Sequence, residues 1–172
     1  MQQNIFTERL VLRPFRLSDS ERVAELAGEK IIADMTANIP HPYHPEMAVE
    51  WIETHEPHFT DGKGVIYAIT LIGNDEIIGA VSFPSIENGL GTLGYWLGVP
   101  FWGRGIAFEA SQALIKHSQE HLGLKELLVM HLAGNERSKS VIRKLGVEYI
   151  ENQTLQVHGQ EREVCVYKSA LV

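Results

Sequence analysis

The chain contains a single cysteine, Cys165, in 172 residues, so no disulfide can form within it. A lone cysteine among strand-like residues reads as a small core hydrophobe. The setting it fits is a reducing, cytoplasmic one. Long hydrophobic runs are missing as well. None approaches the roughly 18 apolar residues needed to span a membrane. The opening "MQQNIFTERL" lacks the apolar core of a signal peptide. A soluble protein with no membrane partner is expected. Positive charge is also scarce. Fifteen Lys and Arg stand against 22 Asp and Glu, a formal net charge of −7. That argues against direct binding of duplex nucleic acid, because phosphate contacts call for a strongly basic face. A basic polypeptide would suit an acidic surface.

What is present is an ordinary globular composition. With 44% hydrophobic and 22% charged residues, residues 1–172 are expected to form a single domain with a core of normal size. There is no internal repeat, and nothing in the sequence signals an oligomeric state.

"RLVLRPF" reads as a first strand. Helix signals follow in "SDSERVAELAG", where Ser18 and Glu21 have capping-box spacing and Gly28 is a stop. "NIPHPYHP" is an extended connector, since it holds three prolines. A second helix opens at Pro45 or Glu46, with Pro57 limiting it. "VIYAITL" and "IIGAVSF" flank a Gly-Asn-Asp-Glu turn and form a hairpin. "TLGYWLGV" is the next strand, and a long helix runs from about Ile106 to Leu122. "ELLVMHL", the helix "NERSKSVIRKLG" and a closing hairpin around His158-Gly159 complete the chain. Strands joined across a helix should run parallel, and the hairpins antiparallel. The fold class is therefore α/β, a mixed sheet with helices on both faces.

The stretch "LGYWLGVPFWGRGIAFEA" (93–110) carries the strongest chemical signal. It turns from strand to helix through Gly103, Arg104 and Gly105. A helix N-terminus offers free N–H groups and the positive end of a dipole. Glycines there let the backbone approach a ligand. Such a turn can bind phosphate or pyrophosphate, or it can simply be a tight turn. A dinucleotide fingerprint fails, because Phe108 holds the place of its third glycine. Elsewhere, "HSQEH" places His117 and His121 as in an inverted zinc-protease motif. They share a helix stripe with Ala110, Ala113 and Leu114, however, and of the 51 residues (172 − 121) left downstream for a third ligand most read as strands. Structural histidines are the better reading, and no metal is expected.

Four pieces, "TERLVLRPF", "IPHPY", "LGYWLGVPFWGRGIAFEA" and "NERSKSVIRKLG", together resemble the GNAT superfamily of acetyl-CoA-dependent N-acetyltransferases. More narrowly they look like its RimJ/RimL-type branch, which acetylates protein N-terminal amines. The resemblance implies a mostly antiparallel seven-stranded sheet, splayed at a bulge between its fourth and fifth strands. Pantetheine would lie in that gap along Leu97, Gly98 and Val99, with the Leu97 and Val99 backbone acting like an added strand. The pyrophosphate would meet the turn of Trp102, Gly103, Arg104, Gly105, Ile106 and Ala107. The superfamily pattern there is Gln or Arg, two residues, Gly, one residue, then Gly or Ala. Gly105 and Ala107 match it; Trp102 replaces the polar residue, and Arg104 would partly restore the charge.

The same resemblance places Ser138, in "N-x-x-S" with Asn135, near the thioester sulfur as hydrogen-bond or proton donor to the departing thiolate. Asn135 also reads as a helix cap in its own right. The tyrosine that many members use four residues after this serine is Ile142 here. A glutamate common before "LGYW" is Thr92, which leaves Glu53, Glu56, His41 and His44 as candidate bases. Tyr95 and Trp96 must face opposite sides of their strand. The expected acceptor is a protein N-terminal α-amine. The alternatives are a small-molecule amine, such as an antibiotic or polyamine, and a non-catalytic acyl-CoA-binding module.

Overall fold

The computed structural model describes Met1 to Val172. In chain order the elements are β1 (Ile5–Phe6), β2 (Leu10–Arg13), α1 (Ser20–Ala27), α2 (Lys30–Met35), α3 (Pro45–Glu53), α4 (His55–Thr60), β3 (Val65–Leu71), β4 (Asn74–Glu87), β5 (Leu90–Leu97), α5 (Ile106–His121), β6 (Glu126–Leu132), α6 (Glu136–Leu145), β7 (Tyr149–Val157) and β8 (Gln160–Ala170). One sheet runs in the order β1-β2-β3-β4-β5-β6-β8-β7. Its strands number eight rather than seven, because Ile5 and Phe6 pair with Leu12 and Val11. Two residues are too short a run to show a period of two. Every pairing is antiparallel except β5 with β6. That pair is parallel because α5 returns the chain to the starting edge.

Helices cover both faces. The larger core joins Ile106, Ala110 and Leu114 of α5 and Ile142 of α6 to Leu10, Leu12, Tyr67 and Phe83 beneath them. The other face packs Val23, Leu26, Ala48 and Ile52 of α1 and α3 on Ala68, Ile77 and Ala80. Each such fully buried branched side chain contributes about 1.5–3 kcal/mol of transfer free energy.

Sequence reading missed α2, whose six residues carry neither a side-chain cap nor a glycine stop. Pro57 does not end a helix. It sits in the first turn of α4, where its missing N–H costs nothing. The Ser18–Glu21 capping box does not form. Instead the Asp19 carboxylate accepts the Arg16 N–H at 2.7 Å, and the Ser20 hydroxyl donates to the Leu17 carbonyl.

Asp19 is committed deeper still. Arg13 is 3% exposed. Its guanidinium donates two parallel bonds of 2.9 Å to Asp19, others to the Asp75 carboxylate and carbonyl, and one to the Pro14 carbonyl. All five N–H groups are satisfied. The bidentate fork on Asp19 and the bonds to Asp75 tie β2, the start of α1 and the start of β4 together.

His55 is the opposite case. It is 7% exposed, wedged edge-on between Phe15 and Trp51, and neither ring nitrogen has a hydrogen-bond partner. Burial, aided by the charge of His58, lowers its pKa from 6.5 to about 4. The unfolded chain then takes up a proton that the folded protein refuses. Stability is therefore expected to fall as pH drops from about 6.5 to 4, by roughly 3 kcal/mol at the acid limit. His55→Phe should keep the aromatic contacts and abolish that part of the acid sensitivity. Urea denaturation at pH 7.5 and pH 4.5 measures it, and an unchanged pH slope in the variant would refute the assignment.

Candidate active site

Strands β5 and β6 part company halfway along. They pair from Leu90–Glu126 to Leu93–Val129 and no further. Beyond that point Tyr95 and Leu97 face Met130 to Leu132 across an opening. The Gly98 N–H donates to Ile78 of β4 at 2.8 Å. By the alternation of a strand, the backbone groups of Leu97 and Tyr95 then point the other way, into the gap. The bulge expected where β5 splays from β6 has no counterpart in their register; the irregularity lies on the other side of β5, on β4. One extra residue is accommodated between Ser82 and Ser85. Pro84, which has no N–H to give a ladder, lies within it.

At the end of β5 the chain makes a 3₁₀ turn, Val99–Phe101, and enters α5 through Gly103 and Gly105. Both glycines are left-handed, with φ of +77° and +73°. A Cβ at Gly103 would meet nothing within 4 Å, so conformation rather than space demands glycine there. Gly105 caps α5 and leaves its first N–H groups free. The turn is braced from behind. Arg9 donates to the Arg104 carbonyl at 2.8 Å and to Glu109 in the first turn of α5 at 2.7 Å. Thr7 donates to the other Glu109 oxygen at 2.6 Å. Burial pushes the Glu109 carboxyl up, but the bonds from Thr7 and Arg9 outweigh it and hold it below the usual range.

A cleft of about 930 Å³ runs from this turn through the strand gap to α3. Of the residues singled out in the sequence, Leu97, Trp102, Gly103, Gly105, Ile106, Ala107, Asn135 and Ser138 line it. Gly98, Val99 and Arg104 do not. Gly98 is turned to β4, the Val99 carbonyl is closed off by the Trp102 N–H, and the Arg104 guanidinium lies over the Phe101 ring, 5.9 Å from its centre. Nor do Glu53, Glu56, His41 or His44 line it. Glu53 faces a separate polar groove. The His41 ring rests 3.1 Å from the Gly28 carbonyl. The only carboxylate lining the cleft is Glu50, and its cations are Arg137 and Lys144.

Trp102 proves to be a structural substitute for a polar residue. Its indole N–H donates to the Leu97 carbonyl at 2.8 Å, stitching the turn to the strand. Its ring carries Arg137 of α6, whose guanidinium carbon stands 3.9 Å from the ring centre. The cation beside the turn thus comes from α6 and not from Arg104. On α6 itself the Asn135 side chain accepts the Ser138 N–H at 3.2 Å, as a cap should, and donates to the Met35 carbonyl of α2. Ser138 is buried, and its hydroxyl lies 2.7 Å from the Tyr95 hydroxyl. Burial pushes the Tyr95 phenol up to about 12, against the lowering effect of that bond. Trp96 faces the other side of the sheet, toward α1 and α3.

The His117 and His121 rings lie with centres 4.6 Å apart and planes tilted by 49°. No group of three His, Cys, Asp or Glu side chains is placed to hold a metal ion. No helix is long and apolar enough to cross a membrane.

An opened parallel strand pair beside a bare helix N-terminus is the arrangement of an acyl-CoA-dependent acyltransferase. A family model described as acetyltransferase (GNAT) domain matches residues 9–148. The chain belongs to that family and is an acetyl-CoA-dependent N-acetyltransferase. It is 30% identical over 127 residues to the uncharacterized N-acetyltransferase p20 of Bacillus licheniformis, covering 73% of this chain and 71% of that one. It is 25% identical over 171 residues to the ribosomal protein uS5-alanine N-acetyltransferase of Escherichia coli K12, covering 91% and 85%. Its fold superposes on that of RimL, a ribosomal alpha-N-protein acetyltransferase in complex with coenzyme A, with a TM-score of 0.89 at 21% identity over 98% of each chain.

Proposed function

We propose that the acceptor is the α-amine of a protein N-terminus. The observation that carries this reading is the composition of the cleft, which holds a single carboxylate, Glu50 of α3. Transfer needs a neutral nucleophile. An α-amine has a pKa near 8, so about a tenth is neutral at pH 7, against a few in ten thousand for lysine. A site with few bases suits the first and not the second. The relatives named as a ribosomal-protein-serine acetyltransferase and a ribosomal protein uS5-alanine N-acetyltransferase, and the likeness to an alpha-N-protein acetyltransferase, support the same choice.

In this reading the pyrophosphate sits on the free N–H groups after Gly105, with Arg137 supplying charge. Pantetheine pairs with the open edge of β5 beside Leu97. The amine attacks the thioester carbon directly in a ternary complex, and rate comes mainly from positioning. Gap-facing backbone N–H groups of β5 polarise the carbonyl. The C–S bond breaks with its electron pair on sulfur, and Ser138 donates to that thiolate. The amine loses its proton to water or to Glu50.

Incubation with acetyl-CoA and a panel of acceptors, read as free-thiol release, tests this. The panel comprises peptides with free or blocked N-termini, polyamines and aminoglycosides. Unblocked peptides should react fastest. Faster reaction with a polyamine or aminoglycoside would replace the protein acceptor by a small molecule. No release with any amine would reduce the protein to an acyl-CoA-binding module.

A further inference from the structure

The hydroxyl pair at the floor of the cleft has a directional problem that its surroundings solve. Ser138 Oγ has one hydrogen to give and lone pairs to receive, and so has Tyr95. Their separation of 2.7 Å is an ordinary O–H···O bond in which either could donate. If Ser138 donated, its hydrogen would be spent inside the protein. Tyr95 has a second acceptor in reach, the Ser138 carbonyl, but at 3.3 Å. The shorter contact is with the hydroxyl. Ser138 Oγ has no other protein partner, and Asn135 already fixes the Ser138 main chain.

We infer that Tyr95 is a positioning residue for the transfer: it donates to Ser138 Oγ and thereby turns the serine's own hydrogen into the cleft, toward the thioester sulfur. The inference rests on the reading of Ser138 as the group facing that sulfur. Tyr95 is well placed for the task. It lies on β5 two residues beyond the last pair with β6, at the opening itself. Its ring packs on the same core as Leu93 and Leu97, which fixes the phenol oxygen against α6. Burial keeps the phenol protonated across the working pH range. No proton leaves Tyr95 during the reaction. The breaking C–S bond leaves its electron pair on sulfur, Ser138 donates to it, and Tyr95 strengthens Ser138 as a donor by polarising it.

Tyr95→Phe keeps the ring and removes only the hydroxyl. Steady-state kinetics with acetyl-CoA and an unblocked peptide should show kcat lowered about three- to tenfold, the range for one net hydrogen bond. KM for acetyl-CoA and the melting temperature should stay near the parent values. A purely structural loss would move both of those instead. In the Ser138→Ala background the same substitution should have no further effect on kcat. A Tyr95→Phe enzyme within twofold of the parent overturns the inference, as does an equal loss in both backgrounds. If Ser138→Ala leaves turnover intact, the role of the serine falls and this inference falls with it. If Ser138→Ala is slow and Tyr95→Phe is fast, only the role of Tyr95 falls.

Discussion

Ser138→Ala is expected to lower kcat about 10- to 100-fold while the affinity for acetyl-CoA, measured by calorimetry, changes little. A hydrogen bond to a charged partner is worth about 1.5–3 kcal/mol, and the departing thiolate is such a partner. The bond strengthens as charge develops, so its loss shows in kcat rather than in ground-state binding. Cofactor affinity should survive because the helix N-terminus after Gly105 and the stacked Arg137 lie on other elements. The fold should survive as well, since the orphaned Tyr95 hydroxyl retains the Ser138 carbonyl at 3.3 Å. Unchanged turnover would remove the serine from the reaction. Loss of acetyl-CoA binding would mean that the residue builds the site rather than serving the chemistry.

Asp19→Ala is expected to destabilise the protein by about 2–3 kcal/mol, the cost of leaving two buried N–H groups of Arg13 unsatisfied while Asp75 still pairs with its charge. For a chain of this size that is a fall in melting temperature of up to roughly 10 °C. The two Arg13 N–H groups that now meet Asp19 at 2.9 Å would be left facing a space that little water reaches. The Arg16 N–H would lose its acceptor too. Much of the cost should disappear in Arg13→Met/Asp19→Leu, which removes both charges together. Asp75 can tolerate that change, because its side chain is 66% exposed and it keeps Arg16. A calorimetric melting scan of the three proteins decides the matter. A single variant within about 1 kcal/mol of the parent would contradict it.

The parts of the site that were legible in the sequence are those whose cause is local. Gly103 and Gly105 need positive φ, Asn135 caps the helix it precedes, and Ser138 follows at fixed spacing. The sense of pairing between successive strands was legible for a similar reason. A Gly-containing turn makes a hairpin, and an intervening helix makes a parallel pair. What escaped was contact between distant residues. Tyr95 and Ser138 are 43 positions apart, so nothing in either neighbourhood announces their bond. Arg9 and Glu109 are separated by 100 positions. Trp102 looked like a defect in a pattern because its indole N–H can supply the polar contact by a route that a motif does not encode. Arg137 likewise restores the charge from another helix. Among the bases, Glu53 and Glu56 stood out in the sequence and Glu50, the one carboxylate that lines the cleft, did not, because side-chain direction on α3 and α4 follows from packing and not from spacing.

The most direct test uses the peptide arm of the acceptor assay with one sequence in two forms. Both carry an internal lysine; one has a free N-terminus and the other a blocked one. Acetyl-CoA turnover is followed as thiol release, and the acetylated nitrogen is located by fragment mass spectrometry. The unblocked peptide should be acetylated on its α-nitrogen alone, and the blocked twin should release no thiol above background. Acetylation at the lysine of both peptides, or equal thiol release from the two, would contradict transfer to a protein N-terminal amine.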